Sequence, residues 1–240
     1  MLTPTFEMRT LGLLAGMSWE STSAYYTLLN RMVRDRLGGQ HSARLLIWSA
    51  DFAPIAAMQA AGDWDQATAV LVEAARRLEA GGAEAMLICA NTMHRMAGEI
   101  EASISIPLLH VADATAKAIR SAGVARPLLL ATRFTMEQGF WRDRLRVGGV
   151  EAMIPPPADR GRLHAIIFEE LVQGRFEPAS RTEVIAIAER QVRDRGADGV
   201  ILGCTEFGLL VEAGDFGVPV FDTTVIHARA GVDFALASQL

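Results

Sequence analysis

A chain of 240 residues, half of them hydrophobic, can bury a sizeable core as one large domain or two small ones. Its formal charge of −5 comes without a basic cluster, which argues against nucleic acid as a partner, and no apolar run approaches the ~20 residues that span a bilayer. Residues 1–10 lack the cationic head and long apolar body of a secretory leader, and two cysteines outside any C-x-x-C pair fit a cytoplasmic enzyme with free thiols better than a disulfide framework.

The first expected strand, Leu11 to Ala15, runs into a turn at Gly16, and Ser18 or Ser21 caps the helix that follows, with Tyr25, Leu28, Leu29 and Met32 at helical spacing. Gly38-Gly39 stops that helix. Leu45 to Ser49 is the next strand, ending at Asp51, and Gly62-Asp63 opens a helix through Leu78. The run Ala85 to Cys89 forms a third strand, followed by a helix from about His94 to Ser103, a fourth strand at Ile106–His110 and a helix over 112–122. The second half repeats this plan: a strand at Leu128–Thr132, a helix from Met136 to Leu145, a strand at Met153–Pro155, helices over 163–173 and 180–195, strands at 199–203 and Val218–Asp222, and a closing helix from Ile226 to Ala237. Lys117 is the only lysine, in a helical stretch with nothing around it that would suit a Schiff-base cofactor site.

The repetition extends to single residues. Gly82-Ala83-Glu84-Ala85-Met86-Leu87-Ile88-Cys89-Ala90-Asn91-Thr92 aligns without a gap on Gly196-Ala197-Asp198-Gly199-Val200-Ile201-Leu202-Gly203-Cys204-Thr205-Glu206, so that Ala90 falls on Cys204 and Cys89 on Gly203. Alternating strands and helices predict parallel sheets covered on both faces. The expected architecture is α/β, two pseudo-symmetric doubly wound halves over residues 1–112 (with 222–240 returning to pack on it) and 113–221. Ligands of such sheets bind outside the carboxyl ends of the strands, so a site in the cleft between the halves is expected, with both tips facing it.

At the second tip, a thiol at a strand end before a helix N-terminus is in the setting that lowers a cysteine pKa. The backbone N–H groups at Asn91-Thr92 and Thr205-Glu206 are candidates for binding a carboxylate, with Asn91 and Thr92 adding side-chain donors. Opposed acid and base groups flanking an α-carbon are what stereoinversion requires. Arg133, Arg162 and His164 are candidates for a substrate side-chain carboxylate, and Asp51 for its ammonium. Cys89, behind Met86-Leu87-Ile88, is expected to pack in the core.

Gly16-Met17-Ser18-Trp19-Glu20-Ser21-Thr22, Ala90-Asn91-Thr92-Met93-His94, Thr132-Arg133-Phe134-Thr135-Met136-Glu137 and Gly203-Cys204-Thr205-Glu206 together resemble the signatures of the aspartate/glutamate racemase family, closest to its broad-specificity branch. The resemblance runs from about residue 10 to the C-terminus. It implies a racemase that needs no cofactor or metal, an amino-acid substrate, a homodimer, and Met17, Ser18, Thr132 and Thr205 as part of the substrate pocket. It also implies two cysteines exchanging the α-proton from opposite faces. The first of these precedes the Asn-Thr pair, where some relatives carry threonine and this chain has Ala90. An alanine methyl moves no proton, and a one-residue shift along a strand turns Cys89 to the other face. A racemase with one thiol, Cys204, and a reduced or one-sided activity is therefore expected; a one-cysteine decarboxylase of the same superfamily, an introduced substitution at position 90 and a non-catalytic carboxylate-binding protein are the alternatives.

Overall fold

The computed structural model describes residues 8–237. In chain order it holds β1 (Leu11–Ala15), α1 (Trp19–Leu37), β2 (Leu45–Ser49), α2 (Phe52–Ala61), α3 (Trp64–Ala80), β3 (Ala85–Ile88), a 3₁₀ turn (Thr92–Met96), α4 (Ala97–Ser103) and α5 (Val111–Ser121). There follow β4 (Pro127–Leu130), α6 (Arg133–Glu137), α7 (Gly139–Val147), α8 (Pro157–Glu169), α9 (Pro178–Arg195), β5 (Gly199–Leu202), α10 (Phe207–Leu210), β6 (Val220–Asp222) and α11 (Thr223–Leu236). Within the described residues the chain forms two compact units, one of 8–89, 96–110 and 227–237, the other of 90–95 and 111–226. The chain passes to the second unit at 110/111 and returns at 226/227, within a few residues of the divisions at 112/113 and 221/222 read from the sequence, and the segment 90–95 belongs to the second unit as well.

In the first unit, β1 is central to a parallel sheet of order β2-β1-β3. β1 and β3 are buried along their whole length, as apolar strands covered on both faces must be, whereas the edge strand β2 leaves Ile47 and Ser49 exposed. Gly16 turns the chain after β1 with φ +87°, and a Cβ there would lie 2.3 Å from the backbone of Ala50, so glycine is required twice over. Ser18 caps α1 by accepting from the Ser21 amide, and Gly38 ends it. Tyr25, Leu29 and Val33 of α1 and Ala228, Val232, Ala235 and Leu236 of α11 share one core cluster with β1, β3 and Cys89.

In the second unit, the parallel sheet has order β4-β5-β6, and β4 and β5 are buried throughout. Leu128–Leu130, Val200–Leu202, Trp141, Leu163, Ile166, Val184, Ile187 and Phe207 belong to its core. The sequence repeat holds at the level of single hydrogen bonds. Cys89 N–H donates to Leu14 O of β1 at 2.9 Å, and Gly203 N–H donates to Leu130 O of β4 at 2.8 Å.

Several expectations require correction. The expected strands at Ile106–His110 and Met153–Pro155 are single bridges, Met86 with Leu108 and Leu128 with Met153; Pro107 and Pro155 have no N–H to extend a ladder. The helix expected from His94 begins as a 3₁₀ turn and becomes α-helical at Ala97. The one expected over 136–145 is two helices, α6 and α7, and α2 was not anticipated. Among the described residues no helix is long and apolar enough to cross a membrane.

Candidate active site

The polar residues singled out at the two tips fall largely in one unit, because segment 90–95 belongs to the second unit together with Cys204. Asn91 Nδ2 donates to Thr223 Oγ1 at 3.0 Å, and Thr223 Oγ1 donates onward to Leu202 O, the last residue of β5, at 2.7 Å. That orientation leaves Asn91 Oδ1 buried without a hydrogen-bond partner, and the same is true of the neighbouring Thr224 Oγ1. Two buried polar atoms without partners in a native fold call for a ligand or water.

Thr92, Thr132 and Thr135 form a ring of hydroxyls, with Oγ1 separations of 3.1, 3.2 and 3.2 Å. Thr132 also caps α6 by accepting from the Thr135 amide at 3.2 Å. Three hydroxyls carry three protons and six acceptor positions, so the ring can turn an O–H outward without losing cohesion. His94 braces the tip from below: Nδ1 lies 3.0 Å from Ala90 O, and Nε2 accepts from Val111 N–H at 3.3 Å. A carbonyl can only accept, so Nδ1 carries the proton and His94 is a neutral support.

At the second tip Cys204 is 6% exposed and Glu206 3% exposed. Cys204 Sγ donates to Glu206 Oε2 at 2.9 Å, and Thr205 Oγ1 donates to the same oxygen at 2.8 Å. Gly203 must precede this thiol without a side chain, since a Cβ would come within 2.6 Å of Leu129 Cδ1. Here an expectation from the sequence is overturned. Burial first, then the charge and hydrogen bond of Glu206, push the Cys204 thiol well above its ordinary range, while backbone N–H groups of Glu206 and Phe207 only partly oppose them. The helix that was to lower the pKa, α10, has four residues and starts at Phe207. The thiol is the donor in its contact with Glu206 Oε2.

Cys89 is fully buried in the core of the first unit, its pKa raised by burial, as its packing role anticipated. Ala90 is buried and offers only a methyl. Met17 and Ser18 are buried in the first unit, where the Ser18 hydroxyl serves as the α1 cap, and Asp51 caps α2 with its Oδ1 accepting from Ala53 N–H at 3.2 Å. Arg133, Phe134, Glu137, Gln138 and His164 line a cavity of ≈ 250 Å³. Arg133 is more than half exposed and its guanidinium pairs with Glu137 at 3.4 Å, while its backbone N–H donates to His164 Nδ1. The His164 ring contacts Phe134 and Phe168 and has its pKa lowered, chiefly by burial. Arg162 lies apart from this cavity lining, with its Nε held by both carboxylate oxygens of Glu183 at 2.9 Å. Thr223 and Thr224 were not anticipated, Glu206 was expected to contribute only its backbone N–H, and Thr135 was given no role of its own. An acid two residues past the thiol was the only signal for the Glu206 side chain, and the fold alone aims it at Sγ.

Two α/β units, each built on a parallel three-stranded sheet, thus carry a buried thiol at a strand tip and, in the same unit as the thiol, a cluster of amide and hydroxyl groups. Residues 14–231 match the Asp/Glu/Hydantoin racemase family, and the chain belongs to it. A crystal structure from Yersinia pestis, provisionally named an Asp/Glu racemase, is 48% identical and superposes with a TM-score of 0.87, covering 95% of this chain and 100% of that one. An aspartate racemase homologue from Pyrococcus horikoshii is 32% identical with a TM-score of 0.83, covering 95% and 99%. The broad specificity amino-acid racemase RacX of Bacillus subtilis is 22% identical over 234 residues, 95% of this chain and 99% of its own length.

Proposed function

We propose that this protein performs α-proton chemistry on a free amino acid through a single thiol, Cys204, from one face of the substrate. The observation that carries this is the pairing, in one unit, of a buried Cys204 at a strand tip with an Asn91 whose Oδ1 is buried and without a partner. A substrate ammonium supplies the donor that Asn91 Oδ1 lacks, and the Thr92–Thr132–Thr135 hydroxyls turn a proton toward the α-carboxylate. The cavity bounded by Arg133 and His164 suits an acceptor on the side chain, which favours acidic or amide-bearing amino acids, while its Phe134 wall also accepts apolar ones. The name of the Bacillus subtilis relative points to the same breadth. No pyridoxal phosphate or metal takes part in this reading. A homodimer is part of it: α2 contains no charged residue in ten positions yet leaves Ala53, Pro54, Ala57 and Ala60 exposed, a pattern suited to burial against a second copy.

With a methyl at position 90, proton removal and return on the Cys204 face exceed delivery to the opposite face. The test is to incubate D- and L-amino acids with the protein in deuterium oxide, following Cα deuteration by NMR and chirality by chromatography. Deuterium entering one enantiomer faster than configuration is lost, and abolished by Cys204→Ser, is the expected result; absence of exchange for every amino acid overturns the proposal. One-sided protonation is also the chemistry of a decarboxylase, and the methyl at position 90 favours it as the second reading. Carbon dioxide release from arylmalonates, without exchange on amino acids, identifies that outcome.

A further inference from the structure

We infer that the groove between the second half of α1 and the loop that follows it is a nucleotide-binding site, with Tyr26 against the base and Arg31 and Arg34 on the phosphates. The inference does not rest on the chemistry at Cys204, since every residue of the groove lies in the first unit. The groove has a volume of ≈ 630 Å³, with Tyr26, Arg31 and Arg34 on its helical wall and Gln40, His41 and Ser42 on its loop wall. No aspartate or glutamate is among the residues that line it.

Three observations carry the assignment. The first is the state of the arginines. Most guanidinium groups in this chain are held by the chain itself, as Arg36 is by Asp233, Arg162 by Glu183 and Arg190 by Asp159. Arg31 and Arg34 are exposed and have neither an ion pair nor a side-chain hydrogen bond among the described residues. Three positions apart on a helix they are neighbours on one face, which sets two forked donors side by side, an arrangement that matches phosphate oxygens. The negative end of α1 accounts for a cation in its last turn, where Arg34 and Arg36 lie, but that effect has faded by Arg31.

The second observation is that the loop wall is built by the fold. Gly38 and Gly39, at φ +73° and +57°, turn the chain back along the helix. Asn30 Oδ1 accepts from Ala43 N–H at 3.0 Å and Asn30 Nδ2 donates to Tyr26 O at 2.7 Å, so one side chain ties the returning loop to α1. The groove therefore keeps its shape without drawing on the arginines. The third is the aromatic ring. Tyr26 is 53% exposed and lies about 8–12 Å from the arginines along the helix axis. A lone exposed ring needs no explanation, but beside two unpaired arginines it supplies a face on which a base stacks. Gln40 and Ser42 offer amide and hydroxyl groups to a ribose between them. A nucleoside diphosphate joins these three chemistries in one molecule.

The test is calorimetric titration of the full chain with ADP, GDP and UDP in turn, with adenosine and inorganic pyrophosphate as the separated halves of ADP. At least one nucleotide is expected to bind with a dissociation constant below about 1 mM, and about tenfold or more tightly than adenosine or pyrophosphate. Arg31→Gln combined with Arg34→Gln is expected to weaken that binding about tenfold or more, through loss of charge-assisted hydrogen bonds. Tyr26→Ala is expected to weaken it about fivefold or more, through loss of stacking. Urea unfolding at the midpoint of the unmodified protein shows that each variant keeps the fold, and Arg31→Gln alone replaces the double variant if the latter does not. No nucleotide bound at about 1 mM, or unchanged affinity in either the arginine or the tyrosine variant, overturns the site. Pyrophosphate binding as tightly as the nucleotides overturns the assignment of ligand class and leaves a basic surface only.

Discussion

Thr223 stands between Asn91 and the end of β5, taking the Asn91 amide proton at 3.0 Å and giving its own to Leu202 O at 2.7 Å. A hydroxyl with both roles fixed determines which end of the asparagine amide points away from it, and so leaves Oδ1 as the buried acceptor. Thr223→Val keeps the shape and removes both bonds. It is expected to weaken amino-acid binding about tenfold, the worth of one oriented hydrogen bond to a charged group, with a smaller effect on the exchange rate at saturation. Calorimetric titration of Thr223→Val and Asn91→Ala checks this, and equal affinity in all three proteins would remove Asn91 from the site.

Ala90→Cys and Ala90→Thr put a proton-bearing side chain at the position that the internal repeat pairs with Cys204. A positioned acid or base contributes roughly 10²–10⁴ in rate. Ala90→Cys is expected to raise racemisation into that range while Cα deuteration from the starting enantiomer changes little. The comparison needs both readouts, because a gain in exchange without a gain in inversion would place the new side chain on the wrong face.

His227 gives the fold an acid limit. Its Nε2–H donates to Leu109 O at 2.6 Å and its Nδ1 accepts from Tyr25 O–H at 2.8 Å, which satisfies a neutral ring on both sides. Burial chiefly, with a smaller push from His110 and an opposing contribution from the Leu109 bond, lowers its pKa to about 4. In the unfolded chain the same group binds a proton near pH 6.5. The unfolded state therefore gains protons first as pH falls, and the stability that His227 contributes is complete above about pH 6.5 and lost toward about pH 4, a change on the order of 3 kcal/mol. Urea titrations between these limits are expected to show the decline in the unmodified protein and a flatter one in His227→Gln, which is less stable at neutral pH.

Cys89 and Cys204 separate by substitution. Cys89→Ser buries a hydroxyl in an apolar core and is expected to destabilise the protein by about 1–3 kcal/mol while leaving exchange intact. Cys204→Ser is expected to abolish exchange with little loss of stability. The reverse pattern would make Cys89 the reacting thiol.

The sheets were legible because Leu11–Ala15, Ala85–Ile88, Pro127–Leu130 and Gly199–Leu202 are short apolar runs bounded by turns, and buried parallel strands have that composition. Helix α2 was not, since Phe52-Ala53-Pro54-Ile55-Ala56-Ala57-Met58-Gln59-Ala60-Ala61 has no polar period to betray a helix with one buried face. The position of Cys204 could be read from the repeat, but its chemistry could not. Its ionisation depends on the Glu206 side chain folding back over a two-residue turn, a matter of side-chain direction that spacing does not encode. Arg162 shows the converse, a residue type suited to a carboxylate that finds one in Glu183 of its own chain. Asn91 and Thr92 were recognised as donors, whereas their docking on Thr223 and Thr132 follows from the route the chain takes between the units.

Helix α11 starts in the second unit at Thr223 and from residue 227 onward packs in the first, where Ala228, Val232, Ala235 and Leu236 complete the core around β1 and β3. The half that emerges first from the ribosome is thus the half that waits longest, holding Leu11, Leu13, Leu87 and Leu29 without their cover until the last helix has been made. A chain truncated before residue 227 is therefore expected to leave the apolar side chains around β1 and β3 without that cover.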